Sequence, residues 1–141
     1  MVQEAVDHDC PSIAFTYNEP TVFAEYAIDI AKLAHEKGKK TVAVTNGYIT
    51  AEARDVLYRH IDAANVDLKA FSDPFYREQT GGSLDPVLET LIDLKKRGVW
   101  IELTTLLIPT LNADMSQIER QCEWTLDHRG HDFALHFPAS T

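Results

Sequence analysis

Carboxylates, amides, a lysine and a histidine recur in this chain at one kind of place, the polar tip that ends a short apolar stretch. The tips are Thr16-Tyr17-Asn18-Glu19-Pro20, Thr45-Asn46-Gly47-Tyr48, Asp67-Leu68-Lys69, Ile108-Pro109 followed by Asn112, and His136. A carboxylate such as Glu19, at a strand's carboxyl end, can hold an ammonium group through charge-assisted hydrogen bonds. Helix capping accounts for Glu19-Pro20 equally well, because a helix start favours negative charge and Pro pre-sets its φ. Thr45 can offer a hydroxyl to a ligand carboxylate, while Asn46-Gly47 is also a turn signal. Asp67 and Lys69 are two residues apart, so on a strand they project from one face. Charges on a barrel-interior face are costly unless paired or bound to something polar, and an ion pair at the rim is the plain alternative. Glu102 and Thr104 share one strand face, with Ile101, Leu103 and Thr105 on the other. Asn112 is a loop residue on sequence alone. His136 differs from His8, His35, His60, His128 and His131, which fall at expected helix ends or loops, because it sits in a strand.

The elements that must position these groups alternate. Strands are expected at Ser12–Thr16, Thr41–Val44, Ala64–Lys69, Val99–Ile108 and Phe133–Phe137. Between them the spacing predicts a helix from Pro20 to Gly38, one capped by Thr50 and reaching His60, and one from Asp85 as N-cap with Pro86 in the first turn to Arg97. Ser116-Gln117-Ile118-Glu119 has capping-box spacing and opens a last helix; Val2–His8 reads as a helix tail. Strand-helix alternation implies right-handed βαβ crossovers and a parallel sheet, and in such a sheet the strand tips converge into a site.

Composition narrows the field. At 141 residues the chain fits one domain, 1–141, and a net charge of −9 with pI near 5.0 speaks against nucleic-acid binding, which needs a basic patch. The basic runs Lys37–Lys40 and Lys95–Arg97 fall where helices end, where cations complement the dipole. No apolar run is long enough to span a bilayer and the start lacks signal-peptide character, so a cytoplasmic protein without membrane contact is expected. Its two cysteines, Cys10 and Cys122, match no metal-ligand spacing.

Ser12 through Pro20, Val44-Thr45-Asn46-Gly47-Tyr48, Asn65-Val66-Asp67-Leu68-Lys69 and Leu107-Ile108-Pro109 with Asn112 together resemble the radical S-adenosylmethionine (radical SAM) enzymes related to pyruvate formate-lyase activating enzyme. The wording is similar to the AmmeMemoRadiSam-type branch, and the likeness covers nearly the whole chain. It implies an α/β fold, a partial (β/α) barrel of about five parallel strands, strands two to six of a (β/α)6 core. It also implies S-adenosylmethionine and a [4Fe-4S] cluster as cofactors, with reductive cleavage to a 5′-deoxyadenosyl radical that abstracts hydrogen. Implied partners are an electron donor and a protein substrate of the glycyl-radical kind or another hydrogen donor. By match to the motifs, Asn18 and Glu19 hold the ligand's amino group. Thr45, Asn46, Asp67 and Lys69 surround its carboxylate and ribose, and Asn112 and His136 lie near the ribose or adenine.

The chain departs from that pattern in its cysteines. The Cys-x-x-x-Cys-x-x-Cys loop that follows the family's first strand is absent, and Cys10 matches a non-ligand position. Since such clusters are held by thiolates, this chain alone is expected to bind S-adenosylmethionine without cleaving it. The alternative is a cluster-less barrel fragment that binds a nucleotide-like ligand or a protein.

Overall fold

A computed structural model of the chain describes residues 1–129 and 134–140. Five parallel strands, β1 (Ser12–Phe15), β2 (Lys40–Thr45), β3 (Ala63–Asp67), β4 (Trp100–Thr104) and β5 (Ala134–His136), form one sheet in the order β1-β2-β3-β4-β5. Each strand pairs with its sequence neighbour, so every crossover advances by one position. The helices are α1 (Val2–Asp7), α2 (Ala24–Glu36), α3 (Ala51–Leu57), the single turn α4 (Asp73–Phe75), α5 (Asp85–Lys96) and α6 (Met115–Arg129). Short 3-10 turns precede α2 at Pro20–Phe23 and follow α3 at Tyr58–His60.

Strand alternation divides the sheet into two unlike faces. Ile13, Phe15, Ala43, Ala64, Val66, Ile101 and Leu103 are buried in one core cluster with Ala27, Ile30, Ala31 and Ala34 of α2, Leu57 of α3, and Val87, Leu91 and Leu94 of α5. The intervening residues, among them Val44, Asn65, Asp67, Glu102, Thr104 and His136, stay half-buried or exposed on the other face. Their register builds rows across the strands. Val44, Asn65, Glu102 and Ala134 form one, and Asp67, Thr104 and His136 form the next toward the carboxyl ends.

Several boundaries differ from the sequence expectation. β4 stops at Thr104 rather than Ile108, with an isolated parallel bridge, Leu107 to Ala139, beyond it; Thr105 stays on the core face, where its hydroxyl donates to the Leu68 carbonyl (2.8 Å) and accepts from Gln121 Nε2 (2.8 Å). β3 stops at Asp67, since the Lys69 N–H goes to the Tyr76 hydroxyl (3.0 Å) instead of a neighbouring strand. The cap of α6 is Asp114, whose carboxylate accepts the Ser116 N–H at 3.1 Å. Ser116 lies inside the helix, where a charged acceptor two residues upstream outcompetes its hydroxyl. At α5 the N-cap is Leu84, with Asp85 already helical. Thr50 caps α3 as expected, accepting the Ala53 N–H. Of the expected strand Phe133–Phe137, Phe133 lies outside the described residues.

Candidate functional site

Glu19 is the pivot of the strand tips. It ends the loop after β1 and caps the 3-10 turn at Pro20, which aims its carboxylate at the end of β2. One oxygen, Oε1, accepts from the Thr21 N–H (3.3 Å), the Thr21 hydroxyl (3.0 Å) and the Thr45 hydroxyl (2.6 Å). The other, Oε2, accepts the Asn46 N–H at 2.8 Å and no second donor among the described residues. A carboxylate offers about four lone-pair sites, two on each oxygen. Oε2 therefore retains acceptor capacity at the surface of the cleft.

Thr45 is 2% exposed. Its hydroxyl donates to Glu19 and accepts the Gly47 N–H at 3.1 Å, so both its functions are engaged within the protein. Tyr58 lies near Thr45 with a buried hydroxyl that closes no well-formed hydrogen bond among the described residues; burial, opposed by Thr45 and reinforced by the Glu19 charge, pushes its pKa up to about 12. The Asn46 side chain accepts the Tyr48 N–H (2.8 Å), a local turn that fixes the tip. Gly47 takes φ +69°, and a Cβ there would stand 3.0 Å from Val66 Cγ1 and 3.2 Å from Val87 Cγ1. The Asn-Gly tip is thus seated directly on the core.

Asp67 and Lys69 form the expected pair, with Nζ donating to Oδ2 at 2.6 Å and both side chains partly exposed. The Lys69 backbone is held on both sides: its N–H donates to Tyr76 and its carbonyl accepts from Asn112 Nδ2 at 2.7 Å. Asn112 is 3% exposed. It also donates to the Leu106 carbonyl (2.8 Å) and accepts the Ile108 N–H (2.6 Å), clamping the loop after β4 under Lys69. His136 lies two strands from Asp67 in the same row, with Nε2 3.1 Å from Glu102 Oε2. Beside that pair, Thr104 donates to Asn65 Oδ1 at 3.1 Å.

Asn18, Glu19, Thr45, Asn46, Asp67 and Lys69 thus line one cleft of about 330 Å³, together with Thr16, Tyr17 and Val44. Asn112 supports the cleft from below through main-chain contacts, and His136 stands apart on the open face. Thr16, Tyr17 and Val44 are lining residues that sequence reasoning did not assign to the site, and of these Tyr17 is fully exposed and adopts φ +71°. Its place within the tip was visible, but nothing in its residue type announces a left-handed conformation. A cavity of similar size, about 400 Å³, lies at the amino ends of the strands beside Arg59, Asp62 and Arg97. Its charges pair with neighbours outside it, Arg97 with Asp55 and Asp93, Arg59 with Asp55, and Asp62 with Lys40 and His35. Among the described residues no group of three or more His, Cys, Asp or Glu is arranged to hold a metal ion, and no helix is long and apolar enough to cross a membrane.

The family model of the Radical SAM superfamily matches residues 1–121. An uncharacterized protein of Methanocaldococcus jannaschii is 38% identical over 137 residues, which is 97% of this chain and 40% of that protein. The pyruvate formate-lyase-activating enzyme of Clostridium pasteurianum is 27% identical over 114 residues, 81% of this chain and 48% of that enzyme. This chain therefore spans less than half the length of these curated relatives. Among solved structures, a domain of pyruvate-formate lyase-activating enzyme from Bacteroides vulgatus superposes with a TM-score of 0.75 at 21% identity, covering 85% of this chain and 74% of that one. The likeness at that identity is one of fold, and the five-stranded parallel arc is a partial (β/α) barrel of the radical SAM kind.

Proposed function

This chain belongs to the radical SAM superfamily, and on that premise we propose that its cleft holds the amino-acid end of S-adenosylmethionine in an activating-enzyme-type protein. The observation that carries the reading is Glu19 Oε2, a carboxylate oxygen with spare acceptor capacity facing a polar cleft of about 330 Å³. An ammonium group placed there gains a charge-assisted hydrogen bond. Lys69 and the Asn46 side-chain amide also line the cleft and receive the ligand's carboxylate in this reading, and Asp67 orients the lysine through their ion pair. Thr45 and Asn112 act as positioning residues, one through Glu19 and the other through the Lys69 backbone. The Glu102–His136 pair on the open face is assigned to the nucleoside end.

Hydrogen-atom abstraction, from a protein substrate or another donor, is the chemistry that S-adenosylmethionine supplies once reduced. The residues of this chain do not fit the [4Fe-4S] cluster that the family uses for that reduction: a cluster needs several thiolates, and Cys10 and Cys122 are the chain's two cysteines. The role proposed for these residues is accordingly capture and orientation.

Without metal chelation of the methionine end, the expected affinity is on the order of 1 mM, about 4 kcal/mol of binding free energy. Calorimetric titration with S-adenosylmethionine tests this. Glu19→Gln and Asp67→Asn weaken binding severalfold and Cys10→Ser leaves it unchanged; equal binding by all four proteins defeats the assignment. Release of 5′-deoxyadenosine by the purified chain under dithionite would contradict the capture-only role.

A further inference from the structure

Beside the cleft, and sharing Glu19, Asn46 and Lys69 with it, lies a second cavity of about 410 Å³. Its other walls come from the loops after β1, β2 and β3, and they are of a different character. Val22 and Tyr48 are 82% and 46% exposed, large apolar groups standing in solvent at the mouth. Tyr76 lies buried beneath, with its hydroxyl accepting the Lys69 N–H.

The cavity is built rather than incidental. A Cβ on Gly82 would lie 3.0 Å from Tyr48 Cε2 and 3.3 Å from its Cζ, so the ring rests on the glycine backbone. Gly82 and Gly81 follow a π-helical turn, Tyr76–Thr80, and the Gly82 N–H returns to the Tyr76 carbonyl at 3.3 Å. Such turns are rare and recur at functional sites. The far end of the loop is closed by Asp73, whose carboxylate accepts the Leu84 N–H at 3.1 Å.

We infer that this cavity is a separate subsite for an uncharged aromatic ring, carried by a second molecule that binds beside the occupant of the cleft. The walls select that chemistry. Flat tyrosine surfaces favour stacked or edge-on rings. The hydroxyl protons of Thr21 and Thr80 are already donated, to Glu19 and to the Tyr76 carbonyl. Of the charged groups lining the space, Glu19 is a carboxylate and the Lys69 ammonium is already paired with Asp67 of the neighbouring cleft, so an anion is disfavoured. The inference rests on the S-adenosylmethionine reading only for the identity of its neighbour.

The test uses benzyl alcohol as the neutral ring and benzoate as its anionic counterpart, followed through backbone amide shifts. Benzyl alcohol should give saturable shifts centred on Tyr48, Gly81 and Gly82, with benzoate at least about fivefold weaker. Tyr48→Ala, which removes the wall, should weaken the neutral ring about tenfold while leaving S-adenosylmethionine affinity within about twofold. Gly82→Ala, whose Cβ displaces the Tyr48 ring, should do the same. Non-saturable or scattered shifts, or full binding by both variants, overturn the subsite. If benzyl alcohol binds here and S-adenosylmethionine does not bind at all, the subsite stands and the cofactor reading falls. If S-adenosylmethionine binds and the ring does not, the subsite alone falls.

Discussion

Replacing Gly47 by Ala measures how tightly the Asn46 tip is seated on the core, and Gly38 supplies the control. Both glycines adopt nearly the same left-handed conformation, φ +69° and +70°. A residue with a Cβ loses about 1–2 kcal/mol in that region, partly offset by about 0.4–1 kcal/mol from the stiffer unfolded chain. At Gly38 a Cβ meets nothing within 4 Å, so Gly38→Ala should destabilise by about 0.5–1 kcal/mol. At Gly47 the same methyl meets Val66 Cγ1 at 3.0 Å and Val87 Cγ1 at 3.2 Å. Both valines are fully buried and cannot swing into solvent, so overpacking adds about 1–3 kcal/mol. Gly47→Ala should therefore lose about 2–4 kcal/mol in all. Urea unfolding gives the comparison directly, as a lower midpoint at unchanged slope, and thermal unfolding should separate the two variants by about 6 °C. Equal losses at the two positions would refute the claim that this tip is pinned by the core, and with it the account of why the Asn46 N–H is held ready for Glu19.

Tyr17→Asn should raise stability by about 0.5–1 kcal/mol, because Asn tolerates positive φ and the exposed ring has no packing to lose; a lower melting temperature would argue against strain at that position. Thr45→Val keeps the shape but leaves Glu19 without its shortest hydrogen bond and the Gly47 N–H unpaired, a loss of about 1–3 kcal/mol by denaturant unfolding; an unchanged midpoint would count against the Glu19 network. Burial pushes the Asp62 carboxyl up, but Lys40, the Thr41 N–H and His35 more than reverse this and hold it well below the usual carboxylate range. Its contribution to stability is complete above the unfolded value near pH 4 and fades as pH falls toward the lower folded value. Asp62→Asn should thus flatten the acid limb of a stability-pH curve below about pH 4, and parallel curves for the two proteins would contradict the pairing.

The sheet and most of the cleft were legible because both rest on local signals. Alternating apolar segments set five parallel strands, and a parallel sheet brings all its carboxyl-terminal tips to one rim, so Glu19, Thr45, Asn46, Asp67 and Lys69 could be grouped without coordinates. What a tip does with its polar groups depends on contacts distant in sequence. By sequence Thr45 can offer its hydroxyl to a ligand carboxylate, yet Glu19, 26 residues away, accepts that hydrogen bond. Asn112 was a plain loop amide by sequence, and its partners are main-chain groups of Lys69, Leu106 and Ile108. The overlong β4 has a similar cause. Thr105, Leu106 and Leu107 continue the strand-like composition, but past Thr104 the pairing thins to an isolated bridge between Leu107 and Ala139, a contact distant in sequence. Ser116 and Asp114 are both competent caps, and the choice between them depends on the path by which the chain enters α6.

The division of the sheet into an apolar and a polar face gives this domain a parity rule for change. On β3 the even positions, Ala64 and Val66, hold the helices, while the odd ones, Asn65 and Asp67, face the open side. On β4 the assignment is reversed: Ile101 and Leu103 lie in the core, with Glu102 and Thr104 opposite. Neighbouring residues on one strand thus answer to unrelated selection pressures, one set to packing volume and the other to whatever the barrel encloses. New specificities can be explored at alternate positions with little penalty to folding. A one-residue slip in a strand's register is lethal to both at once, because it exchanges the two sets.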